Sequence, residues 1–104
     1  MRLSLMITIL VCGFVGHALA EENAAQADKD AENIFNSTCG WCHQGGGRAA
    51  GGIGPKLMDS SRSDDFILNR IRAGSEGKMP AFGASLNDAQ IHALLRYIRH
   101  LKPE

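Results

Sequence analysis

The chain has 104 residues, with eleven basic and eleven acidic side chains, four His and three Cys, which allows one small domain at most. A formal net charge of zero excludes the basic excess that a nucleic-acid binder carries. An apolar fraction of 44% excludes wholesale disorder.

Met1 to Ala20 reads as a secretory signal peptide, cleaved before Glu21. Arg2 is its positive start, Leu3 to Val15 its uncharged, mostly apolar stretch, and Ala18-Leu19-Ala20 its small-x-small end. The competing reading, an uncleaved anchor, has only 18 residues from Leu3 to Ala20 and includes His17, a marginal span. A lipoprotein reading through Cys12 is weaker, because Val11 before it is not small. Cleavage leaves residues 21–104 with two cysteines, and ten basic against eleven acidic side chains. The charge is uneven: Glu21 to Glu32 carries five acids and one Lys, whereas Asn33 to Glu104 carries nine basic and six acidic residues. Export implies an oxidising compartment, the bacterial periplasm, with no stable membrane association after cleavage. Eighty-four residues are few for a self-sufficient core, so a staple or a central filler is expected.

The element pattern is all-α. Residues 21–27 read as a loose acidic lead-in. A first helix is expected from Asp28, a good N-cap, towards Cys39, with Asp30 and Glu32 near its positive end and Ala31 and Phe35 on one face. Gly45 to Pro55 has six glycines in eleven residues and is loop. A G-x-G-x-x-A match at Gly45 to Ala50 has no strand before it and no βαβ unit around it, so it is no phosphate fingerprint. A second helix fits Ser63 to about Ala73, with Ser63 as cap, Asp64 and Asp65 in the first turn and Gly74 as stop. A loop from Gly74 to Ser85 carries Met79-Pro80. The last helix has Asn87 as N-cap with Gln90 three residues on, and Leu86 with Ile91 as a staple. Ile91, Leu94, Leu95, Ile98 and Leu101 give it one apolar stripe.

Cys39-Gly40-Trp41-Cys42-His43 is C-x-x-C-H, the attachment sequence of a c-type haem. Two thiols three positions apart reach the two vinyl groups on one side of a porphyrin as thioethers, and the next His then lies beneath the iron. A redox disulfide would want a thioredoxin-like βαβ context. A zinc site lacks a fourth ligand at usual spacing. A structural disulfide gives His43 no role.

From Ala31 to Leu101 the chain resembles the single-haem class I c-type cytochromes. The likeness rests on Phe35 and Ala31, four and eight residues before the first Cys, and on Gly54-Pro55-Lys56-Leu57, similar to the family's Gly-Pro-x-Leu. It rests also on Gly77-Lys78-Met79-Pro80-Ala81-Phe82 and on Leu86-Asn87-Asp88 opening a helix with Tyr97-Ile98. Gln44 after the His and the bulky Trp41 depart from the pattern, and no other Trp exists to bond a propionate.

The resemblance implies a cytochrome c fold, with first and last helices packed across each other and the rest wrapped around one covalent haem c. It implies Cys39 and Cys42 as attachment points, His43 as proximal ligand and the Pro55 carbonyl as the acceptor that orients His43. Candidates for the sixth ligand are Met58, Met79, His92 and His100. The Gly-flanked loop, in which Pro80 forbids helix, together with the resemblance, favours Met79. Leu57, Phe66, Ile67, Ile71, Phe82, Leu95 and Ile98 are candidates for the apolar haem wall, with Leu57, Ile71 and Phe82 in the pocket itself. Arg48, Arg62, Arg70 and Lys78 are candidates for propionate partners.

Two filled axial positions leave no open site for substrate. The expectation is therefore no enzyme but a soluble periplasmic one-electron carrier. It is expected as a monomer that docks transiently through its haem edge on redox partner proteins: a dehydrogenase or quinol-oxidising complex as donor, an oxidase or another cytochrome as acceptor. The alternatives are a dedicated cytochrome subunit of one dehydrogenase and a haem enzyme or sensor with an openable distal side.

Overall fold

The structure is a computed structural model that describes residues 15–104, with side chains described from residue 21. Most of the expected leader, residues 1–20, lies outside the described residues. Three α-helices follow one another: α1 (Val15–Ile34), α2 (Asp64–Ala73) and α3 (Asp88–Arg99). No strand occurs among the described residues, and none of their helices is long and apolar enough to cross a membrane.

Helix α1 starts well before Asp28. Residues 21–27, expected as a loose lead-in, are helical. Their composition explains this, since Ala, Glu and Gln are among the strongest helix formers, and Gln26 donates to Asp30 one turn on at 3.0 Å. Asp28 caps nothing. Its carboxylate instead meets the Arg96 guanidinium of α3 at 2.8 Å, where the two helices pack together. Ala31 and Phe35 are fully buried in the core with Ile91, Leu94, Leu95 and Ile98, which is the helix pairing expected from the sequence.

The two later helices follow their local signals. The Ser63 hydroxyl accepts from the Phe66 backbone N–H at 3.1 Å. The Asn87 side chain accepts from Gln90 N–H while the Gln90 side chain accepts from Asn87 N–H, both at 2.9 Å. Leu101, just past the end of α3, is still buried.

Between Phe35 and Cys39 the chain widens into one π-helical turn, closed by Gly40 N–H donating to the Phe35 carbonyl at 2.7 Å. The glycine-rich loop then folds back over Phe35. At Gly47, φ is +91°, and a Cβ there would press on Leu101 at 3.1 Å and on Phe35 at 3.2 Å. Its carbonyl accepts from both Leu57 and Met58 N–H at 2.9 Å, so the loop returns to the segment carrying Leu57. Tyr97 stacks on Phe35, ring centroids 4.7 Å apart, and its hydroxyl donates to the Gly46 carbonyl at 3.0 Å. Burial pushes the Tyr97 pKa up, outweighing the nearby Arg48 charge, so the hydroxyl keeps the proton it donates.

Candidate functional site

A cavity of about 680 Å³ opens between the π-turn, the loop after it, α2 and the loop before α3. That volume falls within the range of small-molecule and cofactor sites, roughly 300–1,000 Å³. Cys39, Cys42 and His43 line it, and so do Pro55, Leu57, Ile71, Met79 and Phe82. All eight residues singled out from the sequence therefore meet at one place, although they come from four separate segments.

Each is delivered by local structure. His43 N–H donates to the Cys39 carbonyl at 2.9 Å, which continues the helical turn past Cys42. The His43 ring Nδ1 lies 2.9 Å from the Pro55 carbonyl oxygen. A carbonyl only accepts, so Nδ1 carries the hydrogen, which in the neutral ring leaves the lone pair on Nε2. Gly54 makes this approach possible: a Cβ there would sit 2.6 Å from His43 Cε1 and 2.7 Å from Nδ1. Gly54 N–H in turn donates to the Cys42 carbonyl at 2.8 Å, tying the loop to the cysteine segment.

Cys39 and Cys42 are partly buried and are not joined to each other by a disulfide. Burial, then the neighbouring Cys42, pushes the Cys39 thiol up to about 11, so it is a protonated thiol at neutral pH and not a standing thiolate nucleophile.

Of the other ligand candidates, Met58 also lines the cavity. His92 and His100 do not; both are exposed, one on α3 and one just past its end, with Nδ1 on the Asp88 and Arg96 carbonyls at 2.8 and 2.7 Å. Of the wall candidates, Phe66, Ile67 and Ile98 line the cavity, whereas Leu95 is core behind it. Arg62, Arg70 and Lys78 lie at the cavity, and the two guanidinium groups cover the Phe66 ring at 4.7 and 5.0 Å from its centroid. Arg48 is elsewhere: it donates to the Lys102 carbonyl at 2.7 Å and lies 3.8 Å from Glu104. The clamp of two arginines on Phe66 was not legible from the sequence, although their spacing at i−4 and i+4 from Phe66 was the available signal.

The donor set fits a haem. Two thiols at the attachment spacing, an imidazole whose free lone pair is fixed by a tether on its other nitrogen, a thioether and a mostly apolar wall share one cavity of the right size. The apolar side chains of Leu57, Met79 and Phe82 are only half-buried by the protein itself, which suits a large flat apolar group packed against them.

Comparison with known proteins agrees. The family described as Cytochrome C oxidase, cbb3-type, subunit III matches residues 26–98. A cytochrome c6 from Pyropia yezoensis is 30% identical over 105 aligned positions, covering 93% of this chain and 90% of that protein. A cytochrome c6 from Gracilaria tenuistipitata var. liui is 33% identical over 79, covering 69% and 71%. One from Synechococcus sp. is 29% identical over 75, covering 66% of this chain and 65% of that protein's length. No solved structure matches significantly. Matched along most of its helical body, and carrying a C-x-x-C-H segment on the wall of the cavity described above, the chain belongs to the c-type cytochromes, electron-transfer proteins that carry a covalently attached haem c.

Proposed function

We propose that the protein is a soluble periplasmic one-electron carrier, cut from its leader after Ala20. It shuttles electrons between a periplasmic dehydrogenase or quinol-oxidising complex and an oxidase or another cytochrome. The observation that carries this reading is the convergence of Cys39, Cys42, His43 and Met79 on one apolar cavity.

In this reading Cys39 and Cys42 would hold the porphyrin as thioethers, and His43 Nε2 and the Met79 thioether are the donors that would hold its iron. The bound haem supplies a one-electron couple. The Pro55 carbonyl keeps the His43 ring from turning and raises its basicity as a donor. Met79 would offer a soft thioether, a donor that favours reduced iron and a higher potential. Leu57, Ile71 and Phe82 exclude water from the cavity. Arg62, Arg70 and Lys78 line the cavity and would offer cationic partners to the propionates. His43, tethered to the Pro55 carbonyl, and Met79, on a loop hydrogen-bonded back to Ser75, would hold the group from a stiff frame, which suits a carrier more than a substrate-binding enzyme. Docking is weak and transient through a small interface at the cavity mouth, as a monomer.

A second reading, a dedicated cytochrome subunit of a larger redox enzyme, is favoured by the description of the matching family as an oxidase subunit. The deciding experiment expresses the full chain in a host competent in c-type maturation. A mature mass of residues 21–104 plus one haem, retained after denaturation, with no bound large partner on purification, supports the carrier. Colourless protein overturns the haem reading, and stoichiometric co-purification with a large partner favours the second.

A further inference from the structure

The loop that carries Met79 is shaped from two sides. Ser75 N–H donates to the Met79 carbonyl at 2.9 Å and Met79 N–H returns to the Ser75 carbonyl at 2.8 Å, closing a tight five-residue turn. Beyond Met79 the chain is sewn onto the end of α2: Phe82 N–H donates to the Ile71 carbonyl at 2.9 Å and Gly83 N–H to the Arg72 carbonyl at 3.1 Å. These are carbonyls that a helix end would otherwise leave to solvent. Met79 is thus suspended between Ser75, just past α2, and the Ile71 and Arg72 carbonyls at the end of α2.

Gly74 lies at the hinge of this arrangement. It follows the last residue of α2 with φ +67° and ψ −161°, a region open almost only to glycine. A Cβ there would overlap the Met79 carbonyl oxygen and come within 2.7 Å of the Pro80 carbonyl carbon and 2.8 Å of the Ala81 nitrogen. All three obstacles are backbone, so none can swing aside. Gly77, in the same turn, has φ +71° but nothing within 4 Å of its Cβ position. The two glycines separate two demands: both need a left-handed backbone, and only Gly74 also needs the space.

We propose that Gly74 is a positioning residue for Met79. The missing side chain lets the Met79–Ala81 backbone lie directly on the end of α2, and this contact fixes how far the thioether reaches into the cavity. An ordinary helix-stop glycine requires the backbone angle alone; here the close approach of the ligand-bearing segment is an added requirement. The proposal rests on Met79 being the second axial ligand.

The test compares holoprotein of the parent chain with Gly74→Ala, Gly77→Ala and Met79→Ala. The readouts are the sulfur-to-iron charge-transfer band of the oxidised form, the midpoint potential, carbon monoxide binding to the reduced form, and the melting temperature. Gly74→Ala is expected, at temperatures where it is folded, to weaken the band, lower the potential and admit carbon monoxide, moving towards Met79→Ala. Gly77→Ala is expected to melt earlier with band and potential unchanged. A Gly74→Ala protein that keeps the parent band and potential and loses only stability overturns the proposal. If Gly74→Ala yields no holoprotein, Gly83→Ala decides: its Cβ would crowd the contact between the same loop and the end of α2 more gently, 3.0 Å from the Arg72 carbonyl oxygen. A weakened band supports the proposal, and an unchanged one overturns it. Parent-like spectra in Met79→Ala overturn both the proposal and the ligand assignment beneath it.

Discussion

Arg99, at the end of α3, is bound to Asp64, in the first turn of α2, through Nε to Oδ1 at 2.9 Å. The same guanidinium donates to the Ser60 and Arg62 carbonyls, so one side chain fastens the whole approach to α2. Because α2 supports the Met79 loop, this surface fastening bears on the cavity as well as on stability. Arg99→Ala should destabilise the holoprotein by about 1–2 kcal/mol, since an exposed ion pair contributes little and the two carbonyl contacts contribute most. Arg99→Lys should recover only part of it, because one ammonium cannot match the planar fork. Denaturant unfolding of both variants checks this.

The Tyr97 bond to Gly46 has a pH signature. Burial raises the hydroxyl's folded pKa above the ordinary 10.0. The proton is then held more tightly in the folded chain than in the unfolded one. That contribution is fully present below the unfolded value and is lost as pH rises through the folded one. Tyr97→Phe should cost about 1 kcal/mol at neutral pH and should flatten the alkaline fall in melting temperature. A parallel fall in both proteins would count against it.

Gly54→Ala places a methyl group against the His43 ring, which must then leave the Pro55 carbonyl or displace the loop. Crowding of this kind costs about 1–3 kcal/mol. The potential of the holoprotein should fall along with its stability if the tether is lost. Redox titration and thermal melting of the same sample read both.

Met79→Ala should remove the thioether, lower the potential and let carbon monoxide bind the reduced protein, whereas Met58→Leu should leave spectrum and potential close to the parent. Met58 lines the same cavity, so this pair separates a ligand from a packing residue. Parent-like behaviour in Met79→Ala with an altered Met58→Leu would reverse the assignment.

What the sequence made legible was local. Ser63, Asn87 and Gln90 act on groups within three residues of themselves, and C-x-x-C-H is a contiguous pattern. Apart from the helix-forming composition of residues 21–27, what differed came from partners far along the chain. Asp28 looks like an N-cap until Arg96 is brought beside it, 68 residues later, and the Ala-rich stretch before it then simply continues as helix. Arg48 looked like a propionate partner because its tie to the Lys102 carbonyl cannot be inferred from its neighbours. The roles of Gly54 and Gly74 depend on backbone approaches that composition does not encode.

Trp41 is the only tryptophan and is 80% exposed, its indole N–H donating to the Ser37 carbonyl at 3.1 Å. It stands between the two attachment cysteines, so its fluorescence is a built-in gauge of maturation. The bare chain should glow, and each molecule that acquires its porphyrin should go dark as excitation energy passes to the new neighbour, giving loading kinetics without any added label.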